Sequence, residues 1–96
     1  MVEFSSSKRI TVVKQALEQV PHLQGLSYRN PEFKGWLDRT TASIKAEYGA
    51  ESSEARRFVN AAGRAFVVGT ETGKEQEYQR QLESYEDVLR ALVEES

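Results

Sequence analysis

Residues 30–49 read NPEFKGWLDRTTASIKAEYG and contain the start, the apolar face and the end of one amphipathic helix. Asn30 is a typical N-cap residue, Pro31 suits the first helical position, and Gly49 suits the position after the last turn. The apolar side chains that share one helical face between these signals are Phe33, Trp36, Leu37, Ile44 and Tyr48. The pattern predicts a helix over residues 31–48.

A similar pattern comes earlier in the chain. Apolar residues recur at steps of three and four from Ile10 to Val20, Ser7 suits an N-cap, and Pro21 follows the last apolar position. We therefore predict a first helix over residues 7–20 and expect residues 1–6 to be disordered.

The connector between these two helices, residues 22–29, is not a purely polar linker. It contains three large apolar side chains, Leu23, Leu26 and Tyr28. Because such side chains gain free energy by leaving water, we expect the connector to fold over the core. The histidine of this segment, His22, is expected to face solvent.

A third helix is predicted over residues 53–67, with Ser52 or Ser53 as its N-cap. Its apolar face alternates small and large side chains: Ala55, Phe58, Val59, Ala62, Ala65 and Phe66. Small residues between large ones allow a neighbouring helix to approach closely.

A fourth helix is predicted over residues 73–94, where Thr72 and Glu75 have the spacing of a capping box. Its apolar residues alternate steps of four and three, and they are Tyr78, Leu82, Tyr85, Leu89 and Leu92. This spacing is typical of antiparallel helix packing. The fold class predicted for residues 1–96 is all-α, a single domain built as an up-and-down four-helix bundle.

The composition excludes several classes of protein. The chain has 96 residues, the size of one small domain, and its lack of cysteine excludes a disulfide framework and a thiolate metal site. No apolar run approaches the roughly 20 residues that cross a bilayer, and the N-terminus lacks a signal-peptide segment. We therefore expect a soluble cytoplasmic protein.

The charges are unevenly distributed along the chain. The formal net charge is −2, but residues 1–70 carry 10 Lys and Arg against 7 Asp and Glu, whereas residues 71–96 carry 3 against 8. A mildly acidic protein is a poor general ligand for phosphate backbones or anionic lipid. The net charge therefore disfavours nucleic acid and membrane as partners.

Few residues suggest chemistry. His22 has no second His or Cys with which to share a metal, and no serine near it lies in a nucleophile elbow. The stretch GTETGKE at residues 69–75 is one residue too short for a phosphate loop and places Glu75 where such loops have Ser or Thr. The carboxylates of the fourth helix fit a solvated face. We expect no catalytic residue, no cofactor and no metal site.

A stripe of polar residues on the third helix has several interpretations. At 100° per residue, four side chains fall within about one quadrant, opposite the apolar face: Arg56, Arg57, Asn60 and Arg64. They could contact nucleic acid, dock an acidic protein surface such as the fourth helix of another copy, or face solvent. The negative net charge and the absence of interleaved aromatic residues favour the solvated face.

The apolar face of the fourth helix widens at its end. The residues concerned are Val88, Leu89, Leu92 and Val93. They either cover the open end of the bundle or contact another subunit or a following domain, because extra apolar area marks interfaces. We treat these four residues as candidate partner-binding residues.

The spacing Phe33-x-x-Trp36, followed by Ile44, Tyr48-Gly49, Ser52-Ser53 and Phe58, resembles helical domains that accompany Toll/interleukin-receptor-like or other effector domains in bacterial defence and signalling proteins. In those domains an aromatic-x-x-Trp helix precedes an aromatic-Gly stop, a serine cap and a Phe-bearing helix. The resemblance covers residues 30–66. It implies an accessory module that assembles or regulates a larger protein, and it supplies no catalytic residue.

We therefore expect a non-enzymatic helical interaction or regulatory module whose partner is a protein, either another copy or a following effector domain. One alternative is a small nucleic-acid-binding domain that uses the polar stripe of the third helix. Another is a bundle that senses a small apolar or aromatic molecule among Trp36, Tyr48, Phe58 and Tyr85. Filling the core is the favoured role of these aromatic residues.

Overall fold

The computed structural model describes residues 2–63 and 69–95, with side chains described from Arg9 onward. Its helices are α1 (Val2–Gln24), α2 (Glu32–Tyr48), α3 (Ser53–Val59) and α4 (Glu71–Glu94). α1 packs against α2 and α4, and α3 packs against the same two helices. The described ranges contain no strand, which confirms the all-helical prediction for this part of the chain.

The core lies between the four helices, and each helix contributes to it. The largest fully buried side chains are Trp36, Phe58, Ile44, Leu82, Leu89, Val13 and Val20. Trp36 occupies the centre: its indole Nε1 donates a hydrogen bond to the Ala16 carbonyl oxygen at 3.1 Å, and its ring lies 6.3 Å from that of Phe58 and 6.4 Å from that of Tyr85. One side chain thus joins α1, α2, α3 and α4.

Both ends of α2 follow the sequence signals. The Asn30 side-chain oxygen accepts a hydrogen bond from the Phe33 N–H at 2.8 Å, and Pro31 has helical angles of φ −83° and ψ −10°. At the other end Gly49 has φ +105°, a conformation that side chains with a Cβ rarely adopt, and its N–H donates to the Lys45 carbonyl oxygen. The predicted stop at Gly49 is confirmed, and Asn30 binds the first turn as expected, but α2 begins at Glu32, one residue later than predicted.

The first helix is longer than predicted at both ends. α1 begins five residues before Ser7 and continues three residues beyond Pro21. A proline inside a helix costs about 3 kcal/mol. Contacts in the last turn offset this cost, because Leu23 is buried and its carbonyl oxygen accepts a hydrogen bond from the Tyr78 hydroxyl. The predicted bounds of 7–20 are therefore wrong.

The third helix is shorter than predicted. Ser52 caps it as expected, because its hydroxyl oxygen accepts a hydrogen bond from the Ala55 N–H at 3.1 Å. α3 ends at Val59, and the chain then turns through Gly63, which has φ +64°. The predicted continuation to residue 67 is wrong over this turn. The four further residues assigned to this helix by the sequence, residues 64–67, lie outside the described residues, and they include Arg64, Ala65 and Phe66.

The fourth helix begins two residues earlier than predicted. The Thr70 hydroxyl oxygen accepts a hydrogen bond from the Gly73 N–H at 3.0 Å, so Thr70 rather than Thr72 is the N-cap. Glu75 has no capping role and binds the connector instead. The predicted apolar face is confirmed, since all five of its residues are buried: Tyr78, Leu82, Tyr85, Leu89 and Leu92.

Replacing Trp36 with alanine should lower the free energy of unfolding by about 3–5 kcal/mol, because the change removes a fully buried ring and leaves a cavity. Urea denaturation measures the loss. Lys34→Ala, an exposed position on the same helix, is the control and should change stability by less than about 0.5 kcal/mol. A loss below about 1 kcal/mol for Trp36→Ala would show that the ring is not central to the core.

Candidate functional site

A groove of about 460 Å³ opens between α2 and α3. We name it the α2–α3 groove, and it is lined by Leu37, Asp38, Thr41, Ala42, Lys45, Val59 and the buried Tyr85. Val59 is 48% exposed, and no other large apolar side chain of the described residues is classed as exposed. The groove therefore holds apolar surface, at Val59, that is exposed to solvent.

The sequence assigned Val59 to the buried face of the third helix, and this assignment is wrong. α3 ends at Val59, so no further helical turn carries the apolar face past it. Phe58 takes the core position, with no exposed area and a ring 5.0 Å from that of Tyr85. Adjacent helical positions differ by 100°, which directs Val59 away from Phe58 and towards the groove.

Two opposite charges lie along the α2 wall of the groove. Asp38 and Lys45 are exposed and seven residues apart, which is about two helical turns, or roughly 10 Å along the axis. At that separation they cannot pair with each other, and neither forms an ion pair with any other described residue. Between them lie the short side chains of Thr41 and Ala42.

A second recess, of about 440 Å³, lies between α1 and α2. Its most prominent polar groups are His22 and Glu32, whose Nε2 and Oε2 atoms are 3.1 Å apart. The sequence placed His22 in a loop, whereas the structure places it in the last turn of α1. Its side chain is exposed as expected. The recess thus presents a solvent-exposed hydrogen bond between His22 and Glu32 above a buried floor of Leu23 and Trp36.

The connector is fastened to the first turns of α4 by a set of hydrogen bonds, which we name the connector clasp. Glu75 accepts hydrogen bonds from the Ser27 hydroxyl at 2.7 Å and from the Tyr28 N–H at 3.2 Å. Glu71 accepts from the Tyr28 hydroxyl at 2.9 Å and from Arg29 Nη2 at 2.7 Å. The sequence assigned Glu75 to a capping box with Thr72 and left Glu71 before the predicted helix, so sequence reasoning missed the clasp, whose partners are more than 40 residues apart.

The clasp continues into the end of α1. Asn30 Nδ2 donates a hydrogen bond to the Tyr78 hydroxyl oxygen at 3.1 Å, and that hydroxyl donates to the Leu23 carbonyl oxygen. Gln79 Nε2 donates to the Gln24 carbonyl oxygen at 2.9 Å. Carbonyl groups at a helix end have no partner within the helix, so α4 satisfies two of those of α1. The clasp joins the connector and the end of α1 to α4, and its hydrogen bonds have a structural role.

The contacts of the clasp also shift the pKa of one of its carboxyl groups. Hydrogen bonds from Tyr28 and then Arg29 lower the pKa of Glu71 below its ordinary 4.5. A similar contact closes the other end of α4, where Arg57 Nη1 and Nη2 each lie 2.9 Å from a carboxylate oxygen of Glu95 and lower the pKa of that carboxyl group. Burial raises the pKa of the Tyr85 hydroxyl, which stays neutral in the groove wall.

The candidate partner-binding residues at the end of α4 separate into two kinds. Leu89 and Leu92 are fully buried in the core. Val88 and Val93 are half-buried and pack against it. In this fold the leucines have no area to offer a partner, so a contact at this surface would depend on Val88 and Val93.

The polar stripe of the third helix is only partly assembled by the described residues. Arg56, Arg57 and Asn60 are exposed, and Arg64 lies outside the described residues. Arg57 is engaged by both carboxylate oxygens of Glu95. Part of the positive charge proposed for nucleic acid or an acidic partner is therefore neutralised within the chain.

Three of the aromatic residues considered for a ligand pocket pack against one another. Trp36, Phe58 and Tyr85 have ring centroids 5.0–6.4 Å apart. Tyr48 is half-buried beneath the guanidinium of Arg9, whose Cζ lies 5.2 Å from its ring. Ring distances of this size are those of packed aromatic clusters.

No protein-family model, curated protein or solved structure matches this chain. Over residues 2–63 and 69–95, no group of three or more His, Asp or Glu side chains is placed to hold a metal ion. None of the helices in these ranges has the length and apolar character needed to span a bilayer. The α2–α3 groove is the best candidate for a functional site, because Val59 is exposed in it and Asp38 and Lys45 have no ion-pair partner among the described residues.

Acid should destabilise the fold partly through Glu71. A carboxyl group whose folded pKa is lowered contributes stability above its unfolded pKa of about 4.5, and this contribution is lost as the pH falls through the folded pKa. Urea denaturation at pH 7 and at progressively lower pH should show a smaller acid-induced loss in Glu71→Gln than in the wild type. Glu51→Gln, at an exposed position outside the clasp, should retain the full loss. Equal losses in all three proteins would exclude a stabilising role for the Glu71 contacts.

Proposed function

We propose that this chain is a non-enzymatic helical interaction and regulatory module that mediates assembly through its helical surfaces. An up-and-down four-helix bundle is the scaffold we propose, and the packed pairs α1–α2, α2–α3, α3–α4 and α1–α4 support it. The observation that supports the proposal is the α2–α3 groove. Apolar surface left open beside charged residues is typical of protein-binding sites.

The charged residues also support a binding role over a catalytic one. Among the described residues, the carboxyl groups with a shifted pKa are Glu71 and Glu95, and each is engaged by an arginine on the surface. Exposed ion pairs of this kind are surface contacts that contribute only modestly to stability. A catalytic acid or base would need its shifted pKa inside a cleft.

The resemblance to helical domains of bacterial defence and signalling proteins suggests the setting. We place the module in the cytoplasm, as an accessory part of a larger protein that it assembles or regulates. Its partner is another copy of the chain or a following effector domain. Of these two partners, another copy of the chain can be tested in experiments on the chain alone.

Sedimentation equilibrium over a wide concentration range should detect self-association of the wild-type chain. Val59→Glu should weaken it, because a charge would then occupy the apolar part of the groove. The fold should persist, since Val59 is not in the core. Circular dichroism checks the fold, and Ala50→Glu, at an exposed position in the turn after α2, is the matched control. A wild type that remains monomeric at every concentration contradicts self-assembly as the role of the groove.

Duplex DNA and RNA should not bind with micromolar, salt-sensitive affinity. Binding through phosphate contacts weakens steeply with added salt, and the number of contacts sets the steepness. Arg57 is engaged by Glu95, which reduces the positive charge that α3 offers for such contacts. Fluorescence anisotropy at low and high salt measures this. Salt-sensitive binding that disappears in Arg57→Ala/Arg64→Ala would establish the nucleic-acid alternative instead.

A further inference from the structure

We infer that the α2–α3 groove is self-complementary and docks a second copy of this chain, with the two α2 helices antiparallel across a twofold axis. This inference rests on the proposed assembly function and specifies its partner and geometry. A twofold interface uses the same surface on both subunits, so each contact occurs twice with the residues exchanged. The order of charges and small residues along α2 meets this requirement.

The charges along the groove are arranged so that a twofold rotation places each one opposite a charge of the other sign. If the axis passes between Thr41 and Ala42, Asp38 of one subunit faces Lys45 of the partner subunit, and Lys45 faces the partner's Asp38. Within one chain these two charges are about two turns apart and have no ion-pair partner among the described residues. Dimerisation would pair both charges of each subunit.

The centre of the groove permits close approach. Thr41 and Ala42, which lie at the proposed axis, are short, so the two helix backbones can come near each other. Leu37 and Val59 flank this point and supply the uncovered apolar area, of which Val59 is the most exposed part. Apolar contact at the centre with charges at the rim is the usual anatomy of a protein interface.

A third position on the same stripe agrees with this arrangement. Lys34 is exposed and lies four residues before Asp38, on the same side of α2. In the antiparallel arrangement it faces the partner helix near that helix's last turn, at Gly49 of the partner subunit. The carboxyl end of a helix carries partial negative charge, so a lysine there is favourable.

Charge exchange tests both the surface and the twofold geometry. Asp38→Lys alone and Lys45→Asp alone each convert two attractive contacts into two repulsive ones, and each should raise the dimer dissociation constant at least about tenfold. Mixing the two variants should restore the dimer as a heterodimer, because one chain then presents two lysines and the other two aspartates. Sedimentation of the single variants and of their mixture, with one variant carrying a fluorophore, measures all three states.

Matched charge reversals elsewhere serve as controls. Asp87→Lys on α4 and Lys14→Asp on α1 alter exposed positions outside the groove and should leave the wild-type dissociation constant unchanged, alone and mixed. A dimer that the groove variants do not weaken, or that their mixture does not restore, overturns this interface while leaving self-assembly through another surface. A monomeric wild type overturns the interface and the self-assembly role together.

Discussion

The fold depends on the burial of Trp36 and on the hydrogen bond from its indole to the Ala16 carbonyl oxygen. A domain of this size has a small core, so one side chain that touches all four helices accounts for a large share of it. The hydrogen bond fixes the orientation of the ring, because a buried indole N–H without a partner would cost more than the bond itself contributes. The positions of Phe58 and Tyr85 follow from that orientation.

A second layer of contacts holds the connector and the end of α1. Glu71 and Glu75 bind the connector, and the Tyr78 hydroxyl binds the last turn of α1 beyond Pro21. These bonds explain why the helix passes a residue that normally ends one. They also leave the acidic first turns of α4 engaged within the chain, and so reduce the surface on which an external cation or basic partner could bind.

The surface that remains available is set by where α3 stops. Because α3 ends at Val59, that side chain is left beside Leu37 instead of being carried into the core. The groove that results borders the α2 charges Asp38 and Lys45. At the end of α4, the other candidate surface, Leu89 and Leu92 are fully buried in the core and are therefore not accessible to a partner. The structure thus moves the best candidate for a partner contact from the end of α4 to the α2–α3 groove.

The sequence by itself determined the all-helical class, the end of α2 at Tyr48, its start to within one residue and the apolar face of α4, because these depend on local signals. Asn30, Gly49 and the spacing of leucines and tyrosines act within one or two turns. Only the tertiary structure decided the course of α1 beyond Pro21, the early end of α3 and the role of Glu75. The energies that set the course of α1 and the role of Glu75 come from partners more than 40 residues away, and no local pattern encodes them. The α2–α3 groove belongs to the same category, because its walls lie on separate helices and come together only when the core around Trp36 is formed.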